Sequence, residues 1–143
     1  MTALRLPYSK LSTEAHHGLL KTKKALETGP LDLATIELIN LRVSQINGCA
    51  YCTRMHAEQL RTRDTENAKI DSVAGWRVSE HFSDRERAAL AWADSLTHVA
   101  DTAAPDAVYE PLKTYFSDAE ISDLTVAVAL MNALNRLAVG MRL

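Results

Sequence analysis

Apolar residues recur along this chain at helical spacing, and no segment shows the strict alternation that marks a half-buried strand. The clearest stretch starts at Asp32. There Leu33, Ile36, Leu38, Ile39, Leu41, Val43 and Ile46 predict a helix with a broad apolar face. Upstream, Ser12 is placed to cap a helix running to about Glu27, which Gly29-Pro30 terminates. Asn47-Gly48 is a break, followed by a third helix that carries both cysteines and His56 to about Thr62. A shorter helix is predicted over 66–73. Ser83 with Glu86 has capping-box spacing and opens SDRERAALAWADSLTHVA. Pro105 suits the first turn of a helix through Phe116. A second cap-like pair, Ser117 and Glu120, opens the last helix, which ends near Gly140. The expectation is an all-α antiparallel helical bundle occupying one domain, residues 1–143.

Composition narrows the function classes. Hydrophobic residues make up 47% of the chain and charged residues 24%, an ordinary soluble balance. A net charge of -2 offers neither a nucleic-acid footprint nor a polybasic membrane anchor. The N-terminal MTALRLPYSK lacks the apolar core of a signal peptide. The richest apolar run, Val126 to Leu134, is interrupted by Asn132, so no membrane span is expected. A cytoplasmic location is the expectation, and there two cysteines speak for metal or redox chemistry rather than a disulfide framework.

Both cysteines lie in INGCAYCTRMH, residues 46–56. Cys49 and Cys52 are three apart and Cys52 and His56 four apart, so on a helix all three project along one stripe. An i,i+3 pair has its Cα atoms ~5 Å apart, within disulfide range, so it can cycle between dithiol and disulfide. At a helix start, free N–H groups and the helix dipole stabilise a thiolate. An imidazole one turn along can take the thiol proton. Cys52, nearer His56, is then the candidate nucleophile, and Cys49, at the helix edge, the resolving thiol. Other readings stay open at this point. A zinc site needs a fourth ligand, and only Glu37 is an obvious donor, so no metal is expected. Two buried thiols beside a satisfied histidine would be core. A thioredoxin-like fold is disfavoured by the absence of a βαβ pattern.

Glu37 is out of place among apolar residues, with Leu33 and Leu41 one turn to either side. If the chain doubles back at residues 47 and 48, Glu37 and His56 sit at nearly the same height in an antiparallel hairpin, and a relay Glu37–His56–Cys52 becomes possible. In one continuous helix Glu37 would instead lie ~18 Å from Cys49. A glutamate that merely flanks the core is the alternative.

Glu37, eleven residues, Cys49-Ala50-Tyr51-Cys52, three residues and His56 together resemble the signature of the AhpD-like alkylhydroperoxidases of the carboxymuconolactone decarboxylase superfamily. Residues 83–97 and 120–138 also resemble the small members. The resemblance implies an AhpD-like all-α fold with the CxxC at a helix start, assembled as homotrimers or homohexamers. It implies that Cys52 attacks an organic hydroperoxide to give a sulfenic acid and that Cys49 condenses with it to a disulfide. Glu37 and His56 would relay protons, and an external dithiol reductant would restore the thiols with no bound cofactor. The family's best-known member is re-reduced by a lipoylated protein, a partner not carried over here. Characterised members place a histidine just before the second cysteine. Here that position is Tyr51, which can line the substrate entrance but does not titrate near neutral pH. The decarboxylase branch lacks the cysteine pair.

A thiol peroxidase is thus the first expectation. A thiol-disulfide oxidoreductase or redox sensor is the second, and a non-catalytic helical assembly module the third. His16 and His17 read as surface or interface residues, and His81 and His98 as structural or solvent-facing. Asn132, Asn135 and Arg136 read as satisfying helix ends or a subunit contact. Trp76, Trp92 and the Met131–Leu134 region read as core or interface.

Overall fold

Helix α3 of the computed structural model, which describes residues 3–143, spans Leu33–Ile46 and buries nine of its 14 residues. A helix apolar on so much of its circumference needs neighbours on several sides. Its Ile36, Ile39 and Val43 join one core with Leu26, Trp92, Leu124 and both cysteines. Leu38 and Leu41, rotated to the opposite face, join a second core with Leu60, Val73, Trp76 and Leu90. The other elements arrange themselves around this axis. In order they are α1 (Tyr8–Leu11), α2 (Thr13–Glu27), α4 (Ala50–Arg61), α5 (Asn67–Asp71), a single 3-10 turn (Val73–Gly75), α6 (Asp84–Thr97), α7 (Val99–Thr102), α8 (Asp106–Tyr109), α9 (Leu112–Tyr115) and α10 (Asp118–Met141). No strand occurs among the described residues. Helices α4, α6 and α10 pack directly on α3. The fold is the all-α bundle that the hydrophobic spacing predicts.

Local chemistry fixes most of the boundaries. Asp32 caps α3 by accepting the Thr35 N–H at 2.9 Å. Ser83–Glu86 and Ser117–Glu120 both form complete capping boxes. Ser12 precedes α2 as expected, but its side chain makes no capping bond. Three expectations need correction. The helix predicted from Pro105 through Phe116 is two short ones, because Pro111 lacks an N–H and its ring clashes with the carbonyl four residues back. Pro105 stands just outside α8 rather than within its first turn. The segment predicted for 66–73 is α5 followed by the 3-10 turn.

Helix α10 has 24 residues, and its most apolar 18-residue stretch has a mean hydropathy of 1.5. By length and composition it could cross a membrane, contrary to the sequence expectation. Its packing against α2, α3 and α6 instead makes it a central helix of the bundle.

One polar cluster crosses the second core. Asp94 on α6, 6% exposed, accepts from Arg42 Nε at 2.6 Å and Nη2 at 3.0 Å, and from Trp76 Nε1 at 3.3 Å. Arg77 reaches it from the surface side at 2.7 Å. Burial pushes the Asp94 carboxyl up, but hydrogen bonds and charge from Arg42 and Arg77 outweigh it and hold the group below the usual 3.8. Truncating one partner of such a pair leaves the other uncompensated. Asp94→Ala is therefore expected to lower the unfolding free energy by about 3 kcal/mol at pH 7. A carboxyl with a depressed native value stabilises above its unfolded value and loses that contribution as pH falls through the native one. Urea unfolding of both proteins at pH 7 and pH 3 checks this, and the gap should narrow at the lower pH.

Candidate active site

The site is assembled at the reversal between α3 and α4. Asn47 ends α3, and Gly48 takes a left-handed φ of 67°, which glycine adopts without steric cost. The Cys49 N–H then donates back to Ser44 O at 3.0 Å, closing the turn. Cys49 is the N-cap of α4 and not part of its first turn, a small correction to the sequence reading. Its Sγ accepts the Cys52 N–H at 3.3 Å, filling the role that a serine or aspartate oxygen usually plays. Their Cα atoms lie 5.3 Å apart and the two sulfurs are joined in a disulfide. Both residues are buried.

The turn is held from the far side by α10. The Asn47 side-chain amide donates to Asn132 Oδ1 at 3.0 Å and to Asn135 Oδ1 at 3.1 Å. Asn135, completely buried, in turn donates to Ser44 Oγ at 3.1 Å, and Ser44 Oγ donates to Asn40 O at 2.7 Å. Arg136 holds Asn132 in place through a 2.8 Å bond to Oδ1. Buried amides are costly unless satisfied, so this chain of bonds specifies one placement of the turn. In the sequence these asparagines read as helix-end or subunit residues. Their partner is a helix end, reached through the Asn47 side chain.

Doubling back brings Glu37 on α3 to His56 on α4. The His56 Nδ1–H donates to Glu37 Oε2 at 2.6 Å, with the two residues 2% and 6% exposed. A carboxylate accepts only, so the proton sits on Nδ1 and Nε2 keeps its lone pair in the neutral ring. That Nε2 is buried and has no partner among the described residues. His56 and Cys52 line one apolar cavity of about 210 Å³, walled by Leu26, Ile36, Leu130, Met131 and Leu134. Glu37 and His56 also border a polar cavity on their other side, edged by Lys23, Lys24, Gln59 and Arg63. The imidazole–carboxylate pair therefore borders both a mainly apolar cavity and a polar one, whose linings also share Lys23, Glu27 and Met55. Cys49 does not line the apolar cavity, and Tyr51, 41% exposed, forms part of its rim.

Residues 13–95 match the carboxymuconolactone decarboxylase family. The chain belongs to that family. Within it the chain is AhpD-like, as the spacing of Glu37, the two cysteines and His56 suggests. A solved structure from Agrobacterium tumefaciens, described as of unknown function and as a candidate AhpD antioxidant-defence protein, superposes with a TM-score of 0.94 at 39% identity. That match covers 98% of this chain and 96% of the other. A peroxidase-related protein from Ralstonia eutropha JMP134, described as an alkylhydroperoxidase AhpD core, superposes at 0.78 and 26% identity, covering 91% of this chain and 70% of the other. The debrominase Bmp8 shares the fold at 0.78 with 19% identity over 93% and 72%. The uncharacterised Bacillus subtilis protein YdfG is 27% identical over 96% of this chain and 93% of its own.

The four residues singled out by spacing come together in this AhpD-like bundle, and Tyr51 stands at the entrance. His16, expected at the surface or an interface, is half-buried, lines the apolar cavity and carries a buried Nδ1 with no partner among the described residues. Helix α2 turns residues 16, 19, 23 and 26 inward at helical spacing, but only two of them, Leu19 and Leu26, are apolar. His17, by contrast, is exposed as expected. Asn135 is legible only once the phase of α10 against α3 is known.

The conformation of Gly48 yields a test of the turn. A Cβ added there meets nothing within 4 Å, so the cost of a side chain is conformational alone. Gly48→Ala is expected to lose about 1 kcal/mol of stability, and Gly48→Asn less, because asparagine tolerates the left-handed region. Guanidinium midpoints of the three proteins measure it.

Proposed function

We propose that this protein is a thiol peroxidase that reduces organic hydroperoxides through Cys52 and Cys49. One observation supports it above the others: His56, whose Nε2 is buried without a partner among the described residues and whose Nδ1 is backed by a buried carboxylate, lines the same cavity as Cys52. In the reduced protein His56 Nε2 takes the Cys52 thiol proton, and Glu37 stabilises the imidazolium. The thiolate attacks the terminal peroxide oxygen. The O–O bond breaks, the alkoxide takes the proton from His56 and leaves as the alcohol, and Cys52 becomes a sulfenic acid. The Cys49 thiol then attacks that sulfur, water leaves, and the disulfide forms. An external dithiol supplies the two electrons that reopen it. The apolar walls suit an alkyl or aryl hydroperoxide, and the polar cavity behind Glu37 lets protons exchange with solvent. Assembly as a trimer or hexamer is part of the same proposal, and light scattering decides it.

A thiol-disulfide oxidoreductase is the second reading. The observation that favours it is the cap: the Cys52 N–H points at Cys49 Sγ, which would stabilise a thiolate on the first cysteine. Faster exchange with disulfide substrates than with any hydroperoxide would select it.

The test is a peroxidase assay with cumene hydroperoxide and dithiothreitol. Cys52→Ser is expected to lose turnover, and Cys49→Ser to consume one equivalent and stop at the sulfenic acid. Wild-type turnover by Cys52→Ser would end the proposal. His56→Phe and Glu37→Gln are expected to slow peroxide-driven thiol loss by about 100-fold, with both thiols still titratable.

A further inference from the structure

The disulfide lies between two separate openings. Cys52 lines the apolar cavity and Cys49 does not. Cys49 lines a shallow, more open groove that Cys52 does not reach, formed by Gly48, Ala50, Val139 and Arg142. Tyr51, Ala138 and Leu143 border both.

Building on the peroxidase reading, we propose that the two half-reactions use opposite faces of the disulfide: hydroperoxide reaches Cys52 through the apolar cavity, and the reductant, a slim dithiol, attacks Cys49 from the groove. Three physical arguments support the division. A thiolate opens a disulfide along the line of the S–S bond, from behind the sulfur it attacks and opposite the one that leaves. For Cys49 that approach lies on the side away from Cys52, and Cys49 is the cysteine that borders the groove. The walls of the cavity that holds Cys52 are mainly apolar and would strip an entering thiolate of hydration, whereas the groove is more open to water and bordered by the exposed Arg142. Cys49 itself is only 3% exposed, so a broad protein surface cannot bring a sulfur to it and a narrow reductant can.

The chemistry closes. The first reductant thiolate bonds to Cys49 Sγ, the S–S bond breaks, and Cys52 leaves as a thiolate on the His56 side, where a proton can be supplied. The reductant's second thiol, as its thiolate, attacks its own sulfur in the mixed disulfide, freeing Cys49 and leaving the reductant as an internal disulfide. Two electrons and two protons pass from the dithiol to the cysteine pair. The leaving position falls to Cys52, on the side of His56, whose Nε2 can take up the proton that the reductant thiol sheds and pass it to the leaving thiolate.

The experiment separates the two half-reactions. Protein oxidised with diamide, so that its disulfide owes nothing to a peroxide, is mixed with dithiothreitol and thiol release is followed by stopped flow. Reduced protein is separately oxidised with cumene hydroperoxide. Ala50→Trp and Val139→Trp, both at exposed groove positions, are expected to slow reduction about tenfold while oxidation falls no more than twofold. Leu134→Trp, in the cavity wall, is expected to slow oxidation. Groove variants that reduce at the wild-type rate, or that slow both steps alike, overturn the proposal. Acid-quenched glutathione treatment of the oxidised protein adds a direct readout. An adduct on Cys49 by fragmentation mass spectrometry supports it, and one on Cys52 overturns it. If no hydroperoxide oxidises the wild type, the peroxidase reading falls while the reduction arm still decides the face of attack.

Discussion

A carboxylate on α3 and an imidazole on α4 lie 2.6 Å apart beneath the surface, and helices of opposite direction can bring them together only if the turn between them is held in one place. That requirement accounts for much of the surrounding structure. Gly48 supplies the left-handed residue the reversal needs. Asn47, Asn132, Asn135 and Ser44 lock it with bonds that α10 delivers from across the core. Loss of one member would leave a buried amide unsatisfied, a penalty of about 1–3 kcal/mol that falls on the turn carrying the cysteines. The polar interior of this bundle therefore serves registry between helices as well as chemistry.

How far the sequence disclosed this depends on whether each feature is local or tertiary. The caps at Ser83 and Ser117 were legible because a cap involves residues three positions apart, whereas Ser12, also a cap candidate, makes no capping bond. Pro111 was equally local, and its break of the 105–116 segment follows from the missing N–H alone. The pairing of Glu37 with His56 was legible because one turn and a rise per residue fix the height of both partners. The roles of Asn135 and His16 were legible only in part. For Asn135 a helix end was the expectation, but which end it meets depends on the rotation of α10 about its axis. The role of His16 depends on α2 lying across the cavity with a single buried residue of its own.

The family resemblance and the geometry carry different parts of the reading. Membership in the carboxymuconolactone decarboxylase family, with AhpD-like neighbours, places the chain among bundles of one architecture. The debrominase Bmp8 shows that this architecture also hosts another chemistry. What directs the reading toward peroxide is internal to the chain: a buried imidazole paired with a carboxylate, lining the same mainly apolar cavity as one sulfur of the disulfide.

The capping sulfur has a structural corollary. Where an oxygen usually begins a helix, α4 begins with an atom whose charge changes with the electrons stored in the pair. In the disulfide that atom is a weak, neutral acceptor. As a thiolate it would face the positive end of the α4 dipole, an interaction of roughly 0.3–1 kcal/mol at ordinary helix termini. Backbone fraying at residues 50–53 is thereby coupled to redox state, so amide exchange in that single turn would act as a built-in electrometer for the disulfide beside it.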